Sequence, residues 1–423
     1  MSWENAGLKA LKPVFGKSSI RISRGRNCMI GLEKTLGEIA AIQTGPFGSQ
    51  LHQSDYSVTG TPVVMPKDIQ TGKISEANIA RVTDDHVKRL SRHKLKKGDI
   101  VYSRRGDVGR CGYINEHEEN WLCGTGCLRV AINPTMADSK FIFYQLQQST
   151  SIQWVEKHAV GSTMLNLNTE ILSNVPILLP PLAEQRRIAD ILSAYDDLIE
   201  NNRKQIKLLE EAAQRLYKEW FIDLHFPGYE HTKIINGIPE GWKKEFLTDI
   251  ADIQYGYAFD GSLFNDKAKG TPIIRIRNIP MGVTNDYTTE EANNQYLVNN
   301  GEIVVGMDGE FHINTWGGET AYLVQRTCCI RPKKEIQKGY LLLAIHDPIK
   351  FFEKTVVGST VAHLGKKHLD TIMILMPPGK FIIMFHSFFE KRQLLINKIT
   401  KLISVRDHLL PKLMNGKIEV REK

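Results

Sequence analysis

The sequence predicts an α+β chain in which two related α/β blocks are separated by an antiparallel pair of long helices that form a coiled coil. Three observations predict it. An apolar seam of heptad spacing runs from Ile188 to Trp220. Four short motifs recur in the same order in the two halves of the chain. A second apolar-periodic stretch follows the second half, as the first stretch follows the first half.

The seam is the strongest signal. Pro180 and Pro181 open it, and proline can start a helix but not continue one. Ile188, Tyr195, Asn202, Leu209 and Leu216 fall seven apart, as do Leu192, Ile199, Ile206, Ala213 and Trp220. The steps alternate four and three, which is a coiled-coil seam rather than a broad amphipathic face. At 1.5 Å per residue this helix spans roughly 55–60 Å. No small core needs a helix that long, so the seam calls for a partner helix. Asn202, a polar residue on the seam, is read as fixing helix register.

The chain has 423 residues, enough for two or three domains. Six cysteines without framework spacing point to a reducing compartment, and no apolar run reaches the ~18 residues of a membrane span. The expectation is a cytoplasmic protein without a membrane partner. The net charge of +8 is uneven, with +5 over residues 1–30, −2 over 181–236 and +6 over 379–423. An acidic first helix and a basic C-terminal segment fit one another as coiled-coil partners.

In chain order, residues 1–30 read as a basic N-terminal arm. Gly16, Lys17 and Ser18 resemble the end of a phosphate loop, but Leu11 stands where its first glycine belongs. The first block covers 31–180. Within it Leu36 to Ile42 reads as a short helix, followed by a turn-rich loop from Thr44 to Gln50. Thr61 to Ile69, Asp99 to Arg104 and Cys127 to Ile132 read as strands, and Phe141 to Ala159 as one helix. Ile171 to Leu179 is a buried apolar run. The first long helix is assigned to 181–226 and the second block to 237–378.

The repeat rests on four matches. GTPVVMPKDI from Gly60 matches GTPIIRIRNI from Gly270, and GDIV from Gly98 matches GEIV from Gly301. VGST from Val160 matches VGST from Val357, and Pro180-Pro181 matches Pro377-Pro378. Four matches in order make an internal duplication, with loops of different length. The duplication predicts a second long helix, assigned to 379–416, in which Phe385, Phe388, Leu395, Ile399, Leu402 and Leu409 keep heptad-like spacing. Arg392 and Arg406 interrupt that seam, so looser packing is expected, and Pro411 is expected to kink or end the helix. Residues 417–423 are left as a tail.

Catalytic signatures are missing. The Pro-Pro pairs lack the flanks of an aminomethyltransferase motif, no phosphate loop is complete, and no Glu-x-Lys half of a nuclease core occurs. The glycines from Gly106 to Gly112 have the wrong dinucleotide spacing and read as a turn. Cys123, Cys127 and His117 have poor metal spacing and read as buried thiols and a separate histidine. Basic residues say more. Residues 81–110 hold ten Lys/Arg against four Asp/Glu. Arginine and lysine at strand ends meet phosphates, and arginine pairs bidentately with guanine. Arg275, Arg277 and Asn278 occupy the places of Met65, Lys67 and Asp68, so one framework would present different polar side chains. A solvated charged surface is the competing reading of each. Ser162, Thr163, Ser359 and Thr360 suit turn caps as well as DNA contacts.

Four segments carry a family resemblance: PPLAEQRRI from Pro180, LYKEWF from Leu216, IPEGW from Ile238 and LLPKLMNG from Leu409. Together they resemble the specificity subunit of type I restriction-modification enzymes, over nearly all of residues 31–416. PPGKF from Pro377 departs from the pattern, since it lacks the Glu-Gln-Arg element of the first helix entry, and the basic arm has no clear counterpart. The resemblance implies two target-recognition domains, each reading one half of a split double-stranded DNA target, with the helices setting the gap. It implies docking of two modification subunits, which bind S-adenosylmethionine, and of restriction subunits. This chain would hold no cofactor, no metal and no catalytic residue. DNA contacts are then expected from Ser49, Lys67, Asp68, Lys94, Arg104, Arg105, Arg275, Arg277 and Asn278. Helix pairing is expected from Ile188, Leu192, Ile199, Ile206, Leu209, Leu216, Ile399 and Leu402. A coiled-coil scaffold, a degenerate specificity subunit, and a DNA-modifying enzyme with an unfamiliar site are the other readings.

Overall fold

The computed structural model describes residues 20–22, 31–47, 50–70, 72–161, 165–355 and 362–420. Ser49, Ser162, Thr163, Ser359, Thr360 and most of the arm lie outside them. The chain forms two compact units, one of residues 1–197 with 404–423 and one of residues 198–403.

The first unit is built on a four-stranded antiparallel sheet in the order Cys111–Tyr113, Ile100–Ser103, Cys127–Ile132, Ala40–Thr44. All four residues of Ile100–Ser103 are buried, which is why Ile100, Val101 and Tyr102 follow one another without polar alternation in this central strand. A second sheet orders Leu122–Cys123, Thr61–Val64, Ala80–Val82 and Tyr56–Ser57, and its first two strands run parallel. Val64, Ile69, Leu95, Val101 and Cys127 pack between them.

The second unit repeats the plan. Its antiparallel sheet orders Ala251–Tyr255, Thr327–Pro332, Ile303–Gly306 and Ile313–Thr315. The companion sheet has five strands, of which Thr271–Ile274 and Ala321–Leu323 are the parallel pair. Ile274, Val304, Trp316 and Leu323 share one core, and Phe311, Tyr340 and Phe385 anchor another.

Leu182–Tyr217 and Gly379–Met414 are the two long helices, and a π-helical turn at Lys218–Ile222 ends the first. Within the first unit Arg406 pairs with Asp196, and within the second Arg392 pairs with Glu210. The partners are fourteen residues, two heptads, apart on each helix and in opposite order, so the helices run antiparallel. Ile188, Leu192, Ile199 and Ala213 are buried, whereas Ile206, Leu209, Leu216, Ile399 and Leu402 are half-buried.

Several local expectations are corrected. Pro411 does not end its helix, which runs on to Met414: its own N–H bond is missing, but its carbonyl still accepts the Asn415 N–H, so the ladder resumes beyond it. Arg392 and Arg406 are not left unpartnered on the seam, since each meets a carboxylate of the other helix. Leu36–Ile39 is one turn, started by Thr35 whose N–H bonds to Glu38, and the chain is strand from Ala40. The helix expected over 141–159 is two helices, Ser139–Leu146 and Ser149–His158. The side chain of Asp138 caps the first, and Gln148 takes an extended conformation before the second. The apolar run over 171–179 is a turn of helix, Thr169–Ser173, and a strand, Pro176–Leu179. Ile20–Ile22 of the arm pairs antiparallel with Ile418–Val420 of the tail. Among the described residues no helix is long and apolar enough to cross a membrane.

Candidate nucleic-acid interface

Each unit carries the same corner, built where the central strand of the antiparallel sheet ends. In the first unit the chain leaves Ile100–Ser103 and turns back through residues 104–110, closed by Ser103 N–H to Arg110 O at 2.8 Å. Two segments flank this tip. Arg104 N–H donates to Gly126 O, Leu167 N–H to Arg104 O, and Gly106 N–H to Leu165 O. In the second unit Gly306 N–H to His312 O closes residues 307–312, and the flanking bonds are Met307 N–H to Arg326 O, Leu364 N–H to Met307 O and Gly309 N–H to Ala362 O. The duplication therefore extends to individual backbone bonds.

A third loop and a short turn complete the corner. Residues 45–47 pass so close to the 124–126 turn that a Cβ on Gly45 would stand 2.0 Å from Gly124 O, and a Cβ on Gly256 would stand 2.0 Å from Val324 O. Only glycine allows that approach. The turn Pro66–Asp68 lies against Gly126 through the Pro66 ring. Its counterpart Ile276–Asn278 lies against Gly306 through Ile276.

The expected site residues occupy this frame in different ways. Arg104 and Arg105 sit on the tip. Arg105 is exposed, while Arg104 is half-buried and its Nε is buried without a hydrogen-bond partner. Lys67 is exposed on its turn, with Nζ 2.9 Å from Asn78 O. Asp68 is 2% exposed and accepts the Met65 N–H at 2.9 Å, so it fixes the turn that carries Lys67. Burial, only partly offset by that hydrogen bond and by Lys67, raises its pKa. Asn278 does the same for the Arg275 N–H at 2.8 Å. Arg275 lies over the Phe264 ring, 5.5 Å from its centre. Arg277 is 61% exposed and grips Asp286 through Nε and Nη2. Burial would raise the Asp286 pKa, but hydrogen bonds from Arg277 and Asn278 hold it below the usual value. Lys94 stands apart from the tip, half-buried and bridged to Leu122.

Three corner residues escape the sequence reading. Asp308 takes the place of Arg105, His363 that of Asn166, and Arg326 that of Gly126; the isolated bridges Arg105–Asn166 and Asp308–His363 make the first two equivalences explicit. Arg326 Nη1 lies 2.7 Å from Asp308 Oδ2, and His363 Nδ1 lies 2.5 Å from Asp308 Oδ1. Asp308 is 14% exposed, against 67% for Arg326 and 59% for His363. Arg326 has φ of 66°, where Gly126 has 82°. A left-handed conformation costs an L-residue roughly 1–2 kcal/mol, and an exposed ion pair returns about 0–1 kcal/mol. The available signal was alignment of the two repeats past the GTP motif, which sets Arg326 opposite a glycine.

The histidine and thiols read as separate features are indeed apart in environment. His117 pairs with Glu76 and packs edge-on to Trp121, while burial pushes the Cys123 thiol up to about 12 and the Cys127 thiol well above its usual value.

The chain as a whole is similar to known proteins. The family model described as the type I restriction modification DNA specificity domain matches residues 32–211 and 239–392. The MjaIX type I restriction enzyme specificity subunit of Methanocaldococcus jannaschii is 28% identical over 92% of this chain and 93% of its own length. The HindI specificity subunit of Haemophilus influenzae is 23% identical over 83% of this chain and 93% of its own length. The crystal structure of a type I restriction-modification S subunit from M. genitalium matches with a TM-score of 0.57 at 17% identity, covering 93% of this chain and 98% of that one. At that identity the likeness concerns the fold.

Proposed function

The chain belongs to the type I restriction-modification DNA specificity family, and on that premise we propose that it is the non-catalytic subunit that reads a split DNA target for a larger complex. Residues 31–180 and 237–378 act as the two target-recognition domains, and the long helices over 181–226 and 379–416 set the gap between half-sites. The basic arm over 1–30 and the tail over 417–423 flank them. The observation that carries this reading is the repeated corner. One backbone frame appears twice, bond for bond, with Arg104 and Arg105 at one copy and Asp308, Arg326 and His363 at the other. A frame kept constant while its polar side chains differ suits two readers of unrelated half-sites, because base-edge contacts specify while the frame only positions.

Base contacts are assigned to Arg104 and Arg105 in the first unit and to Arg275 and Arg277 in the second. Lys67 and Lys94 are assigned to phosphates, and Asp68 and Asn278 hold the turns beneath them. The seam residues leave Ile206, Leu209, Leu216, Ile399 and Leu402 half-buried, with apolar surface for two modification subunits to cover. S-adenosylmethionine would bind to those subunits, restriction subunits would join the same core, and the complex would act on cytoplasmic DNA.

The test is a map of modified adenine in host DNA after co-expression with the modification subunit. A split motif with two defined halves and a fixed gap is the expected result, and exchanging residues 31–180 for those of a relative changes one half only. An assembled complex that places no new methylation overturns the reading in favour of a scaffold.

A further inference from the structure

The corner of the second unit holds an arginine in a position where its counterpart is glycine, and this asymmetry has a reason beyond stability. Arg326 takes a left-handed backbone at the turn between Ala321–Leu323 and Thr327–Pro332, and Gly126 fills the same turn in the first unit. Glycine would fit without strain. The guanidinium is mostly in solvent, so its ion pair with Asp308 does not repay the backbone. The side chain is held, not merely attached: Asp308, itself largely buried, accepts from Arg326 through Oδ2 and meets His363 through Oδ1. Three chain segments, the 307–312 tip, the 324–326 turn and the 362–364 segment, converge to build it.

We infer that Arg326, oriented by Asp308 with His363 beside it, reads a guanine in the half-site that faces the second unit. This rests on the DNA-specificity reading above. Nη1 is committed to Asp308, which leaves the Nε–Nη2 edge as the pair of donors that matches guanine O6 and N7. A phosphate is the wrong partner, because the Asp308 carboxylate lies against the same guanidinium and offsets the charge a phosphate would seek. A base edge carries no full charge and gains from donors already fixed in place. Asp308 is therefore a positioning residue, and His363 supplies a second donor or acceptor at the same level of the groove.

The experiment is selection of bound duplexes from a randomised double-stranded DNA pool by the full chain in complex with its modification subunits. Wild type, Arg326→Gly and Arg326→Lys are compared. Glycine at 326 restores the residue the backbone prefers, so its thermal midpoint is expected to stay level or rise. Wild type is expected to yield a split motif, and Arg326→Gly to relax one G·C position in one half by about 5- to 150-fold while the other half is unchanged. Arg326→Lys keeps the charge but not the fork, and relaxes the same position. Equal motifs from wild type and Arg326→Gly overturn the inference and leave the DNA-specificity reading standing. Uniform weakening on every sequence, with a shallower salt dependence, means a phosphate contact and overturns it as well. Full discrimination by Arg326→Lys means that charge alone suffices, with the same consequence. A wild-type complex that selects no sequence overturns the underlying reading and this inference with it.

Discussion

Arg406 Nη1 lies 2.6 Å from Asp196 Oδ1, and the other oxygen of that carboxylate accepts the Tyr144 hydroxyl at 2.5 Å. One acid thus ties the second long helix to the first and both to the Ser139–Leu146 helix of the first unit. Burial works against the Arg406 charge, but Asp196 and, after it, Asp407 together outweigh burial and raise its pKa. Two arginines expected to spoil the seam are the ones that join it, because opposite them the first helix carries acids.

Removing Arg406 should therefore cost stability rather than relieve strain. Arg406→Ala is expected to destabilise the first unit by about 1.5–3 kcal/mol, the range for hydrogen bonds to a charged group. A double-mutant cycle with Asp196→Asn in urea should return a coupling above about 0.5 kcal/mol. Additive single effects would mean that the pair contributes packing alone.

The seam should respond unequally along its length. Leu192 is fully buried, so Leu192→Asp places an unpaired carboxylate in the core and should cost at least about 3 kcal/mol. Ile206 is half-buried, and Ile206→Asp should leave the thermal midpoint of the isolated chain within a few degrees. Co-purification with the modification subunit is where Ile206→Asp should fail. If it assembles normally, the partner does not cover that turn of the helix.

Two aspartates set opposite pH dependences. The Asp68 pKa is raised above 3.8 in the folded chain, mainly by burial. Its contribution is fully present below 3.8 and is lost as pH rises through the folded value. The Asp286 pKa is lowered, so its contribution is present above 3.8 and lost as pH falls through the folded value. Asp68→Asn keeps the turn, as Asn278 does in the second unit. Urea midpoints from about pH 3 to pH 7 should therefore rise for Asp68→Asn relative to wild type as pH increases. For Asp286→Asn they should fall relative to wild type over the same range. Parallel curves would contradict these assignments.

Gly256 is a steric requirement of the corner. A methyl group there meets Val324 O at 2.0 Å, and the atom it meets is backbone, so the loop must shift. Gly256→Ala should cost about 1–3 kcal/mol and displace the 324–326 turn. Gly261 faces open space, and Gly261→Ala should be nearly silent in the same thermal melt.

The duplication, the two long helices and their antiparallel course were legible because each rests on period or order. Heptad spacing survives any detail of side-chain contact, and motifs that recur in sequence need no coordinates to be matched. The strand Cys127–Ile132 was legible to the residue because its ends are marked by a glycine and an asparagine. Local boundaries were less so. The break at Gln147 and Gln148 leaves no trace in apolar periodicity, and the helix starting at Leu36 turns to strand where Ala40 pairs with Ile132. At Ala40 a partner more than ninety residues away made the choice, overriding local propensity.

The sequence alone also determined that each long helix carries one apolar face, since spacing assigns a face. Only tertiary structure decided what the polar residues do. Asp68 and Lys67 are neighbours in the chain, yet one is buried beneath its turn and the other stands in solvent. Asp308, Arg326 and His363 come from three separate segments, and nothing in their spacing announces that they meet. A heptad is a property of one segment and repeats along it. A cluster of polar side chains such as this one is a single meeting of distant segments, set by strand register and loop closure, and so it exists only in the folded chain.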